Sequence, residues 1–448
     1  MTCHEQSAQP AGPLASPRRP LSGWLETVPS AVFVLYAGIA GFVTYFSMYA
    51  FRKPFLATVY EGPEMAGLDA KAVFVISQVA GYTLSKYIGI KVCSETRRRY
   101  RLPLLLGLAL AAETAWLLFA VLPPALKPVA VFANGLPLGM VWGICVLYLE
   151  GRRATEILIA GLSSSYIISS GVFKDIGRVF LHSGLVGEYW MPFVTGLCFL
   201  PLFAVAAWML DQLPPPTKED EAQRAHREPM RVIERHRFIH CFARGIVLQL
   251  ILFIALTAFR DFRDCFGLEI FQGLGLDGVP GIFSRTEVWV ALMAMAALSS
   301  LKFFDAKKWG VAPNMVCMAV GALFIGGSTL LFDVGAVTGS TWMIWVGMGS
   351  YLAYVANDTI FYDRVLAGSR WTGTAVFMTY VMDAGGQTGS IALQLYKGLE
   401  SGNVSYLGFF HHMTYLLSAL IVLILAHNTT YFSPRRLAAR AAAYRQSL

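Results

Sequence analysis

Residues 211–240 read DQLPPPTKEDEAQRAHREPMRVIERHRFIH, a run that is at once long, highly charged and rich in proline. Six long apolar stretches precede it and six follow. The 448-residue chain is 56% apolar and 14% charged, with a mean hydropathy of +0.54. A soluble chain carries charge at about a quarter of its positions. Crossing the hydrocarbon layer as a helix takes roughly 20 residues, and stretch after stretch meets that length. A β-barrel would show short alternating segments instead. The composition therefore reads as an all-α membrane protein with twelve transmembrane helices. The 211–240 run is the linker between two six-helix bundles.

The spans fall at 29–60, 71–92, 102–122, 128–149, 155–181 and 189–210, then at 241–271, 286–304, 311–332, 340–363, 371–396 and 405–426. This gives an N-terminal bundle over 29–210 and a C-terminal bundle over 241–426. Residues 1–28 are polar and Pro-rich and are expected to be a disordered tail, not a signal peptide. Residues 427–448 form a basic tail.

Lysine and arginine set the expected orientation, because short cytoplasmic loops collect them. One set of loops holds Arg97, Arg98, Arg99, Arg101, Arg152, Arg153, Lys302, Lys307, Lys308, Arg364 and Arg370. The linker and the tail residues Arg435, Arg436, Arg440 and Arg445 lie on that same side. The opposite loops offer little beyond Lys53, Lys71, Lys127, Arg285 and Lys397. Both termini are thus expected in the cytoplasm, with the protein in the plasma (inner) membrane. This asymmetry accounts for the net charge of +8 and argues against a nucleic-acid partner. The seven cysteines are scattered singly, without metal-ligand or redox spacing. No nucleotide-binding loop and no nucleophile–base constellation appears. The expectation is a non-enzyme, without metal or cofactor, and monomeric.

The two halves echo each other. Ala50-Phe51-Arg52 in the first span recurs as Ala258-Phe259-Arg260 in the seventh, and internal repeats of this kind characterise secondary transporters. The six-plus-six layout, the linker and the basic loops after spans two and eight resemble the major facilitator superfamily over nearly the whole chain. A narrower likeness lies in Tyr49-Ala50-Phe51-Arg52-Lys53-Pro54-Phe55 and Ser85-Lys86-Tyr87. These are similar to Tyr-x-x-Arg-Lys-x-Phe and Ser-Lys-Phe stretches of the organophosphate:phosphate antiporters. That resemblance implies two cavity arginines, here Arg52 and Arg260, that bind a phosphoryl group, and exchange of the substrate for phosphate. The chain departs from the pattern after span two, where Lys91 to Arg99 lacks the usual aspartate. It departs again in span seven, where Asp261, Arg263 and Asp264 crowd around Arg260.

Each charge inside a membrane needs a reason, since burying one at the bilayer centre costs about 2.5–3.5 kcal/mol even on lenient scales. Arg52 is expected inside a long first helix, about eight residues or roughly 12 Å before its end. Tyr45 and Tyr49 share its face. Lys86 is central in span two, with Gln78 and Tyr82 on its face. Arg260, Arg263 and Asp264 share a face of span seven, with Asp264 placed to pair with Arg260 four residues earlier. Tyr166, Ser170 and Lys174 make a polar stripe on span five, and Thr379, Asp383, Gln387, Ser390 and Gln394 make another on span eleven. Asn357 and Asp358 interrupt span ten. Glu113 has no evident partner in sequence.

The expected substrate-binding residues are therefore Arg52, Arg260, Lys86, Tyr49, Tyr45, Lys174 and Arg263. Asp358, Asp383, Gln387 and Asn357 are expected to line the cavity or couple transport to protons. The preferred function is secondary active transport of a small organic anion, phosphorylated or phosphonate-like, by alternating access. The rivals are a proton-coupled carrier of a zwitterion or cation and a transporter-like receptor that senses without transport.

Overall fold

The computed structural model describes residues 21–60, 65, 67–152, 154–216, 232–369, 376–399, 405–433, 436, 437, 439 and 440. Helices appear at all twelve expected places. In the first half they are α1 (Ser30–Met48), α2 (Ala70–Glu95), α3 (Arg98–Val121), α4 (Lys127–Leu149), α5 (Thr155–His182) and α6 (Met191–Asp211). The second half has α7 (Val232–Cys265), α8 (Ile282–Lys302), α9 (Ala312–Asp333), α10 (Gly339–Ala356), α11 (Val376–Leu399) and α12 (Tyr406–Tyr431). Nine of these are long and apolar enough to cross a membrane by length and composition. The other three, α2, α10 and α11, are more polar, and all three supply charged or tyrosine side chains to the central cavity described below. The chain is an all-α integral membrane protein built as two six-helix bundles.

One apolar core cluster, from Leu25 to Leu213, lies wholly within the first half, whereas another joins Phe55, Phe74 and Trp116 of the first half to Phe259, Phe262 and Trp342 of the second. The halves meet where α5 packs on α8 and α2 on α11.

Several boundaries differ from expectation. Residues 232–240, read as linker, are helical and join α7 through the irregular residue Phe242, while 217–231 lie outside the described residues. Within the expected N-terminal tail, Ser22–Thr27 form a short helix that buries Leu25; residues 1–20 lie outside the description, as do 441–448 at the other end. Helix α12 continues to Tyr431, five residues into the expected tail. Four of the five basic residues assigned to the sparse loops, Lys53, Lys71, Lys127 and Lys397, are buried. Lys127, for instance, caps the Phe119 carbonyl at 2.6 Å and lies over the Tyr189 ring. Arg364 of the basic set is buried as well, donating to the Gly310 carbonyl at 3.0 Å and the Phe304 carbonyl at 2.9 Å.

The largest difference concerns the first span. Its helix stops at Met48, passes through a 3-10 turn over Tyr49–Phe51, and resumes only as a second short turn at Pro54–Ala57. Proline cannot donate the amide that a continuous helix needs at this point, so nearby carbonyls lose their helical partners. Buried side chains take them up. Trp116 donates Nε1–H to the Phe51 carbonyl at 2.6 Å, and Asn134 donates to the same oxygen at 3.1 Å. Gln78 donates to the Arg52 carbonyl at 3.1 Å and to Asn134 Oδ1 at 2.9 Å. Close packing of α2 on α4 makes this possible: a Cβ on Gly81 would sit 2.2 Å from the Phe132 carbonyl, and one on Gly135 only 2.4 Å from that of Gln78. Small residues let helix backbones approach this closely, and here they place Gln78 and Asn134 beneath the break.

Candidate functional site

A cavity of about 730 Å³ lies between the halves. It runs from Lys53 and Asp264 to the ends of α2 and α4 at Cys93 and Leu147, beside the basic loops at Arg97 and Arg152. Arg52, Lys86, Tyr45, Tyr49, Arg260, Asp358, Asp383 and Gln387 all line it.

The break in α1 sets Arg52 free of a regular helix and turns its guanidinium over the Tyr82 ring, 3.9 Å from the centroid, with Tyr49 at 5.7 Å. Among the described residues Arg52 makes no ion pair, and its Nε is buried without a hydrogen-bond partner. Arg260 reaches a similar setting by another route. It sits within continuous α7, lies over Tyr354 at 4.2 Å and Tyr351 at 5.6 Å, and pairs with Asp261 at 3.1 Å. The expected pairing of Arg260 with Asp264 is not formed. Lys86 pairs with Asp383 across the halves at 3.1 Å, both partly exposed.

Asp264 instead closes the blind end. It accepts from Lys53, from Lys174 at 2.7 Å and from Ser170, all three in the first half. Lys174 is almost fully buried in this cluster and is not part of the cavity wall, contrary to its reading as a substrate ligand; attraction to Asp264 holds it. Farther from the cavity, Lys71 pairs with Glu269 at 2.6 Å, and Tyr406 donates to Asp69 at 3.0 Å. Gly281, at φ +68°, turns the chain into α8 in a left-handed conformation that glycine adopts without strain. The first free amides of α8 then point at Asp175, with Ser284 N–H donating at 2.7 Å. A carboxylate suits a helix N-terminus, where amides lack partners. This end of the molecule is sealed by polar contacts from one half to the other, while the cavity extends to the opposite end.

Two further expectations are corrected. Arg263 faces away from the cavity, donating to Glu287 of α8 at 2.7 Å and to the Met343 carbonyl at 3.2 Å. Gly347 makes room for it, since a Cβ there would fall 2.6 Å from the guanidinium. Asn357 is fully buried and donates to the Gln249 carbonyl at 3.2 Å. It sits where α10 breaks, and Asn314 takes the freed Ala356 carbonyl at 2.7 Å. Its polarity serves the break and not the cavity. On α11, Ser390 and Gln394 bond to each other in the protein interior, and the side chain of Thr379 lies outside the description. Glu113 is buried, with neither carboxyl oxygen satisfying hydrogen-bond geometry.

Sequence reading missed Lys53 as an inter-half group, Tyr351 and Tyr354 as the ring faces under Arg260, and Trp142 in the cavity wall. Tyr351, Tyr354 and Asp358 do fall at helical spacing, which is the signal that marks them.

Solved structures resemble this arrangement at low sequence identity. A D-xylose–proton symporter superposes with a TM-score of 0.60 and 14% identity, over 88% of this chain and 96% of that one. The nucleoside transporter NupG, in a mutant form, gives 0.56 and 13%, over 89% and 100%. The xylose transporter XylE from E. coli, in a partially occluded inward-open conformation, gives 0.53 and 13%, over 88% and 96%. The fold is thus that of the major facilitator superfamily; the organophosphate:phosphate antiporter branch gains no support from these likenesses. No curated protein matches the sequence. The chain belongs to the family of unknown function DUF5690, whose model matches residues 54–435.

Proposed function

We propose that the protein is a secondary active transporter of a small organic anion that works by alternating access. The observation that carries this reading is the state of Arg52. Lys53, Lys86 and Arg260 each have a carboxylate partner, whereas Arg52 lines the cavity with no ion pair among the described residues. A guanidinium stays charged at any working pH and presents forked donors that match a carboxylate or phosphoryl group. Tyr82 covers one face of it and leaves the edge for a ligand. Arg260 serves as the second contact, its charge shared with Asp261.

In this reading the cavity faces the cytoplasm, with both termini and the 211–240 linker on that side, and the monomer resides in the plasma membrane. The Lys53–Asp264–Lys174 cluster closes the outer end. Rocking of the two bundles about the cavity would part that cluster and close the inner end. A phosphorylated or phosphonate-like substrate exchanged for phosphate is the variant that the Tyr49–Phe55 motif favours.

A second reading, a proton-coupled carrier of a zwitterion, draws on Lys86–Asp383. Among the described residues this pair is the most exposed of the ion pairs between the halves, so a substrate bearing both charges has access to it. Purified protein in vesicles separates these readings. Arg52-dependent accumulation of an anion against its gradient, driven by internal phosphate, supports the first. Uptake driven by a proton gradient and lost in Asp383→Asn supports the second. Arg52-dependent binding without any flux would make the protein a receptor.

A further inference from the structure

The walls of the cavity constrain the body of the substrate as Arg52 constrains its charge. Nine of the thirty residues lining the cavity are aromatic, and seven of these are tyrosines, whose hydroxyls add polar edges to the ring faces. A planar ring needs mainly faces and edges to pack on.

The aromatic side chains are also arranged as two walls. On the first half, Tyr45 and Trp142 meet edge to face at 5.0 Å, and Trp142 meets Tyr166 at 6.2 Å in the same way. On the second half, Phe253 and Tyr354 lie 5.1 Å apart with their planes 31° from parallel, and Tyr351 meets Tyr354 edge-on at 6.4 Å. The two sets belong to different bundles and line one cavity, and Arg260 already lies 4.2 Å over the Tyr354 ring. A flat body in the cavity would therefore meet rings of the first half and the Arg260–Tyr354 stack of the second. Such a body is held by groups that move relative to each other during alternating access, which couples its binding to closure.

We propose that the substrate is an anion carried on a planar aromatic or heteroaromatic ring, such as an aromatic carboxylate or an aryl phosphate, and not a polyol phosphate. The inference rests on the reading of Arg52 as the anion contact. The charged group meets Arg52, and the ring lies between the Trp142 wall and the Tyr354 wall.

The native protein tests this without any substitution. Purified protein in detergent is titrated with benzoate, phenyl phosphate, glycerol phosphate, a hexose phosphate and inorganic phosphate, with binding read by calorimetry. The expected result is that phenyl phosphate binds at least tenfold tighter than glycerol phosphate or the hexose phosphate. Each ring contact is expected to add about two- to tenfold. Phenyl phosphate should also quench tryptophan fluorescence, and Trp142→Phe should remove that quenching while keeping most of the affinity. Trp142→Leu should weaken phenyl phosphate by about tenfold and leave glycerol phosphate unchanged. Equal or tighter binding of the polyol phosphates, lost in Arg52→Gln, would overturn the ring and leave the anion reading standing. Tight binding of phenyl phosphate that survives Arg52→Gln would retain the ring and overturn the anion contact. Binding of none of the five overturns both.

Discussion

Among the described residues, the ion pairs between the two halves all run in one direction. All four that cross this seam take a lysine from the first half and a carboxylate from the second: Lys53 and Lys174 with Asp264, Lys71 with Glu269, and Lys86 with Asp383. The same bias separates the two cavity arginines. Arg52, in the half that supplies the lysines, makes no ion pair among the described residues, and Arg260, in the half that supplies the acids, pairs with Asp261. The ion pairs of the two bundles are thus complementary in sign. They draw the bundles together at one end and leave Arg52 in the cavity without an ion pair among the described residues.

The seam itself gives the strongest way to break this comparison. Asp264→Asn would leave Lys53 and Lys174 buried without a counter-charge. Removing one partner of a buried ion cluster typically costs about 3–5 kcal/mol. The melting temperature should fall, and the buried thiol of Cys265 next to it should become reactive toward a membrane-impermeant reagent. A stable variant with Cys265 still protected would mean that apolar packing, and not opposite charge, closes that end. Exchanging the charges of Lys71 and Glu269 in a double variant should recover most of what either single change loses.

The arginines offer the next test. Arg52→Gln should weaken anion binding by about ten- to a hundredfold, the usual worth of roughly 1.5–3 kcal/mol for a hydrogen bond to a charged group. Arg260→Gln should weaken it less, because Asp261 already shares its charge. Asp261→Asn should make the second arginine resemble the first and raise anion affinity. Equal losses from the two arginines, with no gain in Asp261→Asn, would show the asymmetry to be without consequence for binding.

Much of this was legible in the sequence because membrane burial is a one-dimensional signal. Apolar runs and a proline-rich interruption locate helices and bundles whatever their packing. Loop charge was legible only in part, since Lys53, Lys71, Lys127 and Lys397, and Arg364 of the opposite set, are buried. Pairing was not legible in the same way. Asp264 stands four residues from Arg260, as a helical ion pair requires, yet it binds Lys53 and Lys174, which are 211 and 90 residues away. Arg263 shares a face with Arg260 by spacing, but the turn of α7 against α8 gives it to Glu287. Helical periodicity identifies residues on one side of a helix; which neighbour that side meets depends on the whole bundle. The break at Arg52 was hidden for a related reason. Pro54 marks a place where a helix is weakened, and only Trp116, Asn134 and Gln78, from three other helices, decide that the chain opens there.

That break distinguishes the first arginine from the second and can itself be loosened. Asn134→Ala would remove its bond to the Ala112 carbonyl, leave Gln78 with the Arg52 carbonyl alone and leave the Phe51 carbonyl with Trp116 alone. Each buried hydrogen bond lost costs about 0.5–1.5 kcal/mol. Thermal stability should drop by that order, and anion affinity should fall with it because the support under Arg52 is gone. The corresponding change under α10, Asn314→Ala, frees the Ala356 carbonyl and should lower stability without touching Arg260. If Asn134→Ala destabilises the protein but leaves affinity intact, the break is structural and does not position Arg52.

Glu113 supplies the smallest expected effect and the sharpest control on the charge argument. It belongs to the half that otherwise presents lysines to the seam, lies on α3 away from the cavity wall, and fits into the space left by Gly196 of α6, where a Cβ would come within 2.1 Å of Oε2. No lysine or arginine pairs with it among the described residues, and neither oxygen satisfies hydrogen-bond geometry. A carboxyl buried without a counter-charge is stable only as the neutral acid. Glu113→Gln keeps both the shape and the neutrality, so stability should change by less than about 1 kcal/mol, with anion affinity unaltered. Chemical or thermal unfolding of the single variant measures this directly. A loss of about 3 kcal/mol or more, the scale on which a buried pair breaks, would mean that Glu113 has a cationic partner in the membrane. The first half would then hold a buried acid–base pair of its own, and the division into a lysine half and a carboxylate half would no longer describe the molecule.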